Sequence, residues 1–403
     1  MMSSHHPGWM DLPMELLELI LQRVTLMDNL MNCRATCRSW RKVAEAVFSS
    51  QLPLMLSLSP SMYVLSAPWS YHDSSVVTET WTHITNWRDE IIRLHSVQGW
   101  LMFNEFHTVI LKNQIFSELC FYNPFSRASF KLPWLLFSFL RSPMKTYCQV
   151  RVVFNSAPPG SEEFIVVLLC VFRYDRKDGH DEQMRQKLAF FKFKHGSWIV
   201  SESIVEYNEI FYDIAVDDDD KLYGLTFEHE TSVVFVITLS DDDHVVKQRL
   251  VMQNSIEDII NFKASVLFGN SFYRSHRLAM DTSTGELLLV LHYVNSKNEY
   301  RKSIYTKGFR VFKLERSSVR WCEVFDIGDR FLLWDSTIRV SFVSAKGLTL
   351  SVPDKFKRGN CIFFIKKDDM GVFFLGDRTI NHFPVSSSLP YSSFQKMWFS
   401  PAP

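Results

Sequence analysis

From residue 71 onward, short runs of β-branched and aromatic residues are broken by turn-forming Asp, Ser, Gly and Asn about every ten residues, with no helical period between them. That punctuation constrains the fold most. Phe211 to Val216, Leu222 to Phe227 and Val233 to Leu239 are separated by Asp217 to Asp220 and by Glu228 to Thr231, which predicts an antiparallel meander. Leu278 to Met280 and Leu287 to His292 flank an Asp-Thr-Ser-Thr-Gly turn, and Arg310 to Leu314 and Trp321 to Phe325 flank Glu-Arg-Ser-Ser. Phe191-Lys192-Phe193 followed by Trp198 is echoed by Val311-Phe312-Lys313-Leu314 followed by Trp321. Each is an outgoing strand, a polar turn and a Trp-led return, a hint of a blade period. Many short meanders over residues 71–403 predict a β-propeller of six to eight blades rather than a single sandwich, with a pair of β-barrels as the main rival. The fold class is therefore mainly β with a small α module ahead of it.

That module is Met10 to Phe48, within a domain expected at residues 8–50. Leu16, Leu17, Ile20, Leu21 and Val24 recur at the spacing of one helical face, with Glu15, Glu18 and Gln22 on the other. Asp11 is positioned as an N-cap, and Pro13 sits in the first turn, where its missing N–H costs nothing. Asp28 can cap a second helix carrying Leu30, Met31, Cys33 and Arg34, and Thr36 a third carrying Trp40, Val43, Ala44 and Val47. A unit this small buries little apolar surface alone. Either another protein completes its first helix or the module packs as a cap on the main domain. Gln51 to Ser70, with three prolines and five serines among apolar residues, reads as a packed connector spanning 51–70.

Lys plus Arg and Asp plus Glu balance at 44 each, so no global field recruits nucleic acid, an anionic membrane or an acidic substrate. Seven cysteines scattered at 33, 37, 120, 148, 170, 322 and 361 make no secreted disulfide framework and point to a reducing compartment. Cys33 and Cys37 lack a second Cys or His pair at a zinc spacing, so core packing is their expected role and no metal is expected. No signal peptide is evident, and the longest apolar runs, Phe164 to Phe172 and Leu132 to Leu140, suit buried strands rather than a membrane span. The expectation is a soluble protein of cytosol or nucleus.

Leu12-Pro13, Glu15-Leu16-Leu17, Ile20-Leu21, Asn29-Leu30, Arg34, Cys37 and Trp40-Arg41 fall where an F-box carries its signature, and this segment resembles one. Met27, Met31 and Cys33 depart from the usual family residues. The resemblance implies docking to the Skp-type adaptor of a cullin-RING ubiquitin ligase, with Leu12, Pro13, Leu16, Leu17, Ile20, Leu21, Leu30 and Trp40 as the adaptor-binding set. A second resemblance covers most of the remaining chain. Gly99-Trp100-Leu101, Cys120-Phe121-Tyr122-Asn123-Pro124-Phe125, Leu222-Tyr223-Gly224-Leu225, Gly285-Glu286-Leu287-Leu288, Ile327-Gly328-Asp329-Arg330-Phe331-Leu332 and Gly359-Asn360-Cys361-Ile362-Phe363 are similar to plant F-box-associated propellers of the uncharacterised kind. Asn123-Pro124 and Gly359-Asn360 are turn formers, and Gly285 and Gly328 permit positive φ between strands, so these residues read as architecture.

Catalytic signatures are missing: there is no Gly-x-Ser-x-Gly elbow, no dinucleotide fingerprint and no P-loop, so neither an enzyme nor a cofactor is expected. His83, His95, His107, His276 and His292 sit among apolar residues or at strand ends, as structural histidines do. Asp217 to Asp220 and Asp241 to Asp243 lack the ligand spacing of a calcium loop and read as solvated turns. The reading is a substrate receptor, helical module on the ligase and propeller on an unknown protein target. Its rivals are a propeller enzyme such as a glycosidase, needing paired inward carboxylates, and an F-box scaffold that never joins a ligase. Arg173 to Lys187 is the longest polar insertion, and Arg173, Arg176, Lys177, Arg185 and Lys187 are the candidate target-binding residues, with Asp241 to His244 and Asn295 to Lys302 as further variable loops.

Overall fold

Phe164 to Val171 is apolar at every position, so a strand through it needs cover on both faces. The computed structural model supplies that cover by placing the strand between two other sheets. Val166, Leu168 and Cys170 point into a core shared with Met102, Leu119 and Phe121, while Ile165, Val167 and Leu169 point into one shared with Ile214, Leu222 and Phe235. The same alternation recurs further on. Leu287, Leu289 and Leu291 face Tyr223, Leu225 and Val234, and Leu288 and Val290 face Leu332, Trp334 and Ile362. Sheets stacked face to face around a ring make a propeller, in which each sheet's burial depends on its neighbours.

The structure describes residues 8–9, 12–21, 32–33, 36–49, 54–58, 62–66, 77–80, 93–97, 99–109, 114–123, 128–138, 148–155, 157, 159–174, 183–201, 211–228, 231–239, 245–253, 271–281, 284–295, 305–335, 340–344, 358–366, 369–383 and 395–399. Five blades use contiguous chain, with strands falling within 93–138, 148–201, 213–251, 271–324 and 330–382. Five blades correct the expected six to eight. A further four-stranded sheet is composite: Gln395–Phe399 pairs with Leu54–Leu58, followed by Met62–Ser66 and Val77–Thr80, all antiparallel. Residues 51–70 were expected as a connector and instead contain two of these strands. Their prolines lie outside the paired stretches, where a missing N–H costs no ladder bond.

The meander over 211–239 forms as expected, in strands Asp213–Val216, Lys221–Glu228 and Thr231–Leu239. The two echoed segments are equivalent outer hairpins: Gln183–Lys192 with Ser197–Ser201, and Thr306–Glu315 with Arg320–Val324. The run from Leu132 to Leu140 is not one buried strand. Pro133 interrupts the ladder and accepts the Trp198 indole N–H at 2.7 Å, leaving Trp134 at 62% exposure between buried Leu132 and Leu135. The fifth blade is irregular, because Arg330–Asp335 pairs antiparallel with Val340–Ser344 but parallel with Cys361–Lys366.

Buried carboxylates tie neighbouring blades together. Asp213 pairs with Arg151 of the blade before it and accepts the Leu278 N–H of the blade after it at 2.6 Å. Asp369 accepts the Thr306 N–H at 2.6 Å, and Asp281 pairs with Arg330. Each would be costly to bury without such partners.

Two helices precede the sheets, α1 (Met14–Leu21) and α2 (Arg38–Ser49). The expected second of three helices, carrying Leu30, Met31, Cys33 and Arg34, lies outside the described residues except for helical Asn32 and Cys33, and Asp11 and Asp28 lie outside as well. No described helix is long and apolar enough to cross a membrane.

Candidate docking surfaces

Pro13 immediately precedes α1 and its carbonyl accepts the Leu16 and Leu17 N–H groups at 3.1 Å each, so it starts the helix. At the other helix the Cys37 carbonyl accepts the Arg41 N–H at 2.9 Å, placing the cap one residue later than the expected Thr36. Leu17 and Leu21 are fully buried against Val43, Ala44 and Val47, with Leu12, Cys33 and Trp40 packed at the margin. The Trp40 indole N–H donates to the Trp9 carbonyl at 3.0 Å.

Turning α1 by roughly 100° per residue puts Leu16, Leu19 and Ile20 together on the side away from Leu17 and Leu21. They are 48%, 49% and 36% exposed, and Met14 is 44% exposed. This short helix therefore has two apolar faces, one spent on α2 and one open, with Glu15 and Glu18 between them. The expected adaptor set divides accordingly. Pro13, Leu16 and Ile20 are exposed, Leu17 and Leu21 form the helix-pair core, Leu12 and Trp40 are half-buried, and Leu30 lies outside the described residues. Sequence reasoning missed Leu19 and Met14, although Leu19 stands one helical step of three from Leu16.

On the second blade, Ile165–Tyr174 and Gln183–Lys192 pair through Arg173↔Met184, Phe172↔Arg185 and Cys170↔Lys187. Arg173, Arg185 and Lys187 thus lie in hairpin strands, not in the exposed loop expected over 173–187. The register fixed by Val166↔Phe191 and its apolar neighbours carries the backbone ladder on through the polar positions. Arg176 and Lys177 lie outside the described residues, as do 241–244 and 296–302.

Two of the expected structural histidines have partners. His292 is buried, stacks on Phe309 at 4.9 Å and meets the Thr306 hydroxyl at 3.0 Å. His276 lies near the Arg151–Asp213 pair, and burial, with lesser help from Arg277 and Arg151 and against the pull of Asp213, lowers its pKa to about 4. Among the described residues no three His, Cys, Asp or Glu side chains converge as a metal site requires.

The F-box domain model matches residues 9–47, which contain both helices, and the model of the KIB1-4 beta-propeller matches residues 82–374, well over half of the chain. The chain belongs to the KIB1-4 beta-propeller family. Four blades of this KIB1-4 propeller and all but the last strand of the fifth lie inside the matched span, while most of the composite sheet lies outside it. No curated protein sequence gives a significant match. Solved structures resemble it only distantly. Levansucrase of B. megaterium is 11% identical at a TM-score of 0.28 over 56% of this chain, which spans 62% of the enzyme's length. Dipeptidyl peptidase 4 of Porphyromonas gingivalis is 8% identical at 0.34, over 80% of this chain and 51% of its own. An alpha-L-arabinofuranosidase of Fusarium graminearum is 11% identical at 0.30, over 79% and 83%. Likeness at these TM-scores carries no argument about activity.

Proposed function

We propose that this KIB1-4 propeller protein is the substrate-recognition subunit of a Skp-cullin-F-box type ubiquitin ligase, acting in the cytosol or nucleus. The observation that carries the reading is the second apolar face of α1, Leu16, Leu19 and Ile20, left open inside the F-box span while its opposite face is already buried. An exposed apolar stripe on a helix this small marks a partner surface. A Skp-type adaptor covers it, with Pro13 at the edge, and links the chain to the cullin. Leu12, Leu17, Leu21 and Trp40 hold the helices in shape, and Leu30 completes the set. The propeller holds the protein target, with Arg173, Arg176, Lys177, Arg185 and Lys187 on and around the second blade's hairpin as its proposed contacts.

Catalysis belongs to the partners. Asp213, Asp281 and Asp369, buried carboxylates of the kind a propeller glycosidase would need, are engaged as ties between blades. The test is co-purification of the adaptor and cullin with the full chain against a form lacking residues 1–50, followed by ubiquitin transfer in the reconstituted complex. Adaptor binding without transfer would favour the ligase-independent scaffold, and no adaptor binding would overturn the reading. With the target in hand, replacing the five basic residues by Ala is expected to impair its capture and leave adaptor binding unchanged.

A further inference from the structure

At the end of the second blade opposite the basic hairpin, three turns surround a cleft of about 760 Å³ that opens between the second and third blades. Its volume lies in the range of ligand sites, roughly 300–1,000 Å³. One wall is the turn carrying Glu162 and Glu163, and the facing wall is the turn carrying Asp218, Asp219 and Asp220. Lys192 and Lys194 come from the second blade's other turn, and Asn155, Ala157 and Ile165 complete the lining. Five carboxylates face two lysine ammoniums, a net charge of −3 in a chain whose overall charge is zero.

Both walls are held in place before any ligand arrives. Buried Asp217 accepts the N–H groups of Asp219 at 3.0 Å and Lys221 at 2.8 Å and the Tyr223 hydroxyl at 2.9 Å, fixing the turn that projects Asp218 and Asp219. Buried Asn155 donates to the Glu163 carbonyl at 2.7 Å and accepts the Ile165 N–H at 3.1 Å, fixing the other turn. Lys192 is 6% exposed and pairs with Asp220 at 2.9 Å, so its charge is already matched. The remaining acids oppose one another across open space, where a cation bearing hydrogen-bond donors would relieve their repulsion. Because the walls are rigid, little ordering entropy is lost on binding.

We propose that this cleft receives an arginine- or lysine-bearing segment of the target protein. The proposal rests on the receptor reading above and adds a second contact, of opposite charge, on the other face from the hairpin. Guanidinium and ammonium groups lie between the acidic walls, and the stems of those side chains cover Ala157 and Ile165.

The test is fluorescence anisotropy of the purified full chain with a fluorescein-labelled arginine-rich peptide and with the same peptide carrying citrulline in place of arginine. The arginine peptide is expected to bind with strong salt dependence and the citrulline peptide not to bind. Glu162→Gln/Glu163→Gln/Asp218→Asn/Asp219→Asn, all at exposed positions, is expected to weaken binding about tenfold or more with Tm unchanged. Glu15→Gln/Glu18→Gln/Asp326→Asn/Asp377→Asn makes the same change in net charge elsewhere and is expected to leave binding intact. Equal loss in both variants, no loss in the first, or equal binding of the citrulline peptide would each overturn the proposal. Adaptor and ubiquitin take no part in the measurement, so failure here leaves the ligase reading standing, and absence of adaptor binding leaves this site standing.

Discussion

Leu16→Ala/Leu19→Ala/Ile20→Ala strips the open face of α1 while leaving Leu17 and Leu21 untouched. Full burial of a Leu or Ile side chain contributes about 2 kcal/mol. Exposures of 48%, 49% and 36% leave a third to a half of each still to be covered, or about 1 kcal/mol per side chain and about 3 kcal/mol together. The adaptor affinity is therefore expected to fall roughly a hundredfold. Alanine favours helix, and these side chains contribute little to the helix-pair core, so unfolding stability is expected to hold within about 0.5 kcal/mol. Leu17→Ala should behave in the opposite sense. That side chain is fully buried against α2, and its loss costs about 2–5 kcal/mol of module stability. Calorimetric titration of the adaptor, with helical circular dichroism of the same samples, separates the two effects. Should the triple variant lose helix, or bind the adaptor as the parent does, the assignment of the two faces is wrong.

Gly224→Ala places a Cβ 2.6 Å from the Phe211 ring, whose backbone is clamped on both sides by the Gln186 amide, so a loss of about 1–3 kcal/mol is expected in urea denaturation. Phe211→Leu in the same chain should recover part of it. His276 carries a pH signature: its pKa falls from near 6.5 in the unfolded chain to about 4 when folded, so acid protonates the unfolded form first. Its contribution to stability is complete above about pH 6.5 and declines as the pH falls towards 4. Denaturation midpoints at pH 7 and pH 5 should differ less in His276→Gln than in the parent chain.

The meander over 211–239 is legible because each strand ends at a polar turn and its apolar residues need no distant partner to be recognised as strand. Gly285, Gly328 and Gly359 do adopt φ of 68°, 69° and 67°, and Asn360 adopts 53° while its side chain accepts the Ile327 N–H and donates to the Phe325 carbonyl. Turn chemistry is local, and so it can be read. The partition of α1 is not. Leu16 and Leu17 are adjacent leucines, and which of them is covered depends on Val43, Ala44 and Val47 arriving from another helix. The acidic cleft escapes a linear reading for the same reason, since Glu162 and Asp219 belong to different blades. Asp217 to Asp220 was expected as a solvated turn, and only the fold shows that Asp217 is buried to hold the shape of the others. The parallel pairing of Arg330–Asp335 with Cys361–Lys366 leaves no trace in either strand's pattern.

The composite sheet has a consequence for the order in which the molecule is made. Both helices and Leu54–Leu58 leave the ribosome before any contiguous blade, yet Leu54–Leu58 waits for Gln395–Phe399, the last described strand to be synthesised. A message cut short anywhere in between yields a chain that carries its helical module but keeps one strand edge unpaired, open to other chains and to chaperones. Ring closure thereby serves as a proofreading step on full-length translation, and the strand that completes it is also the one whose absence marks an unfinished copy.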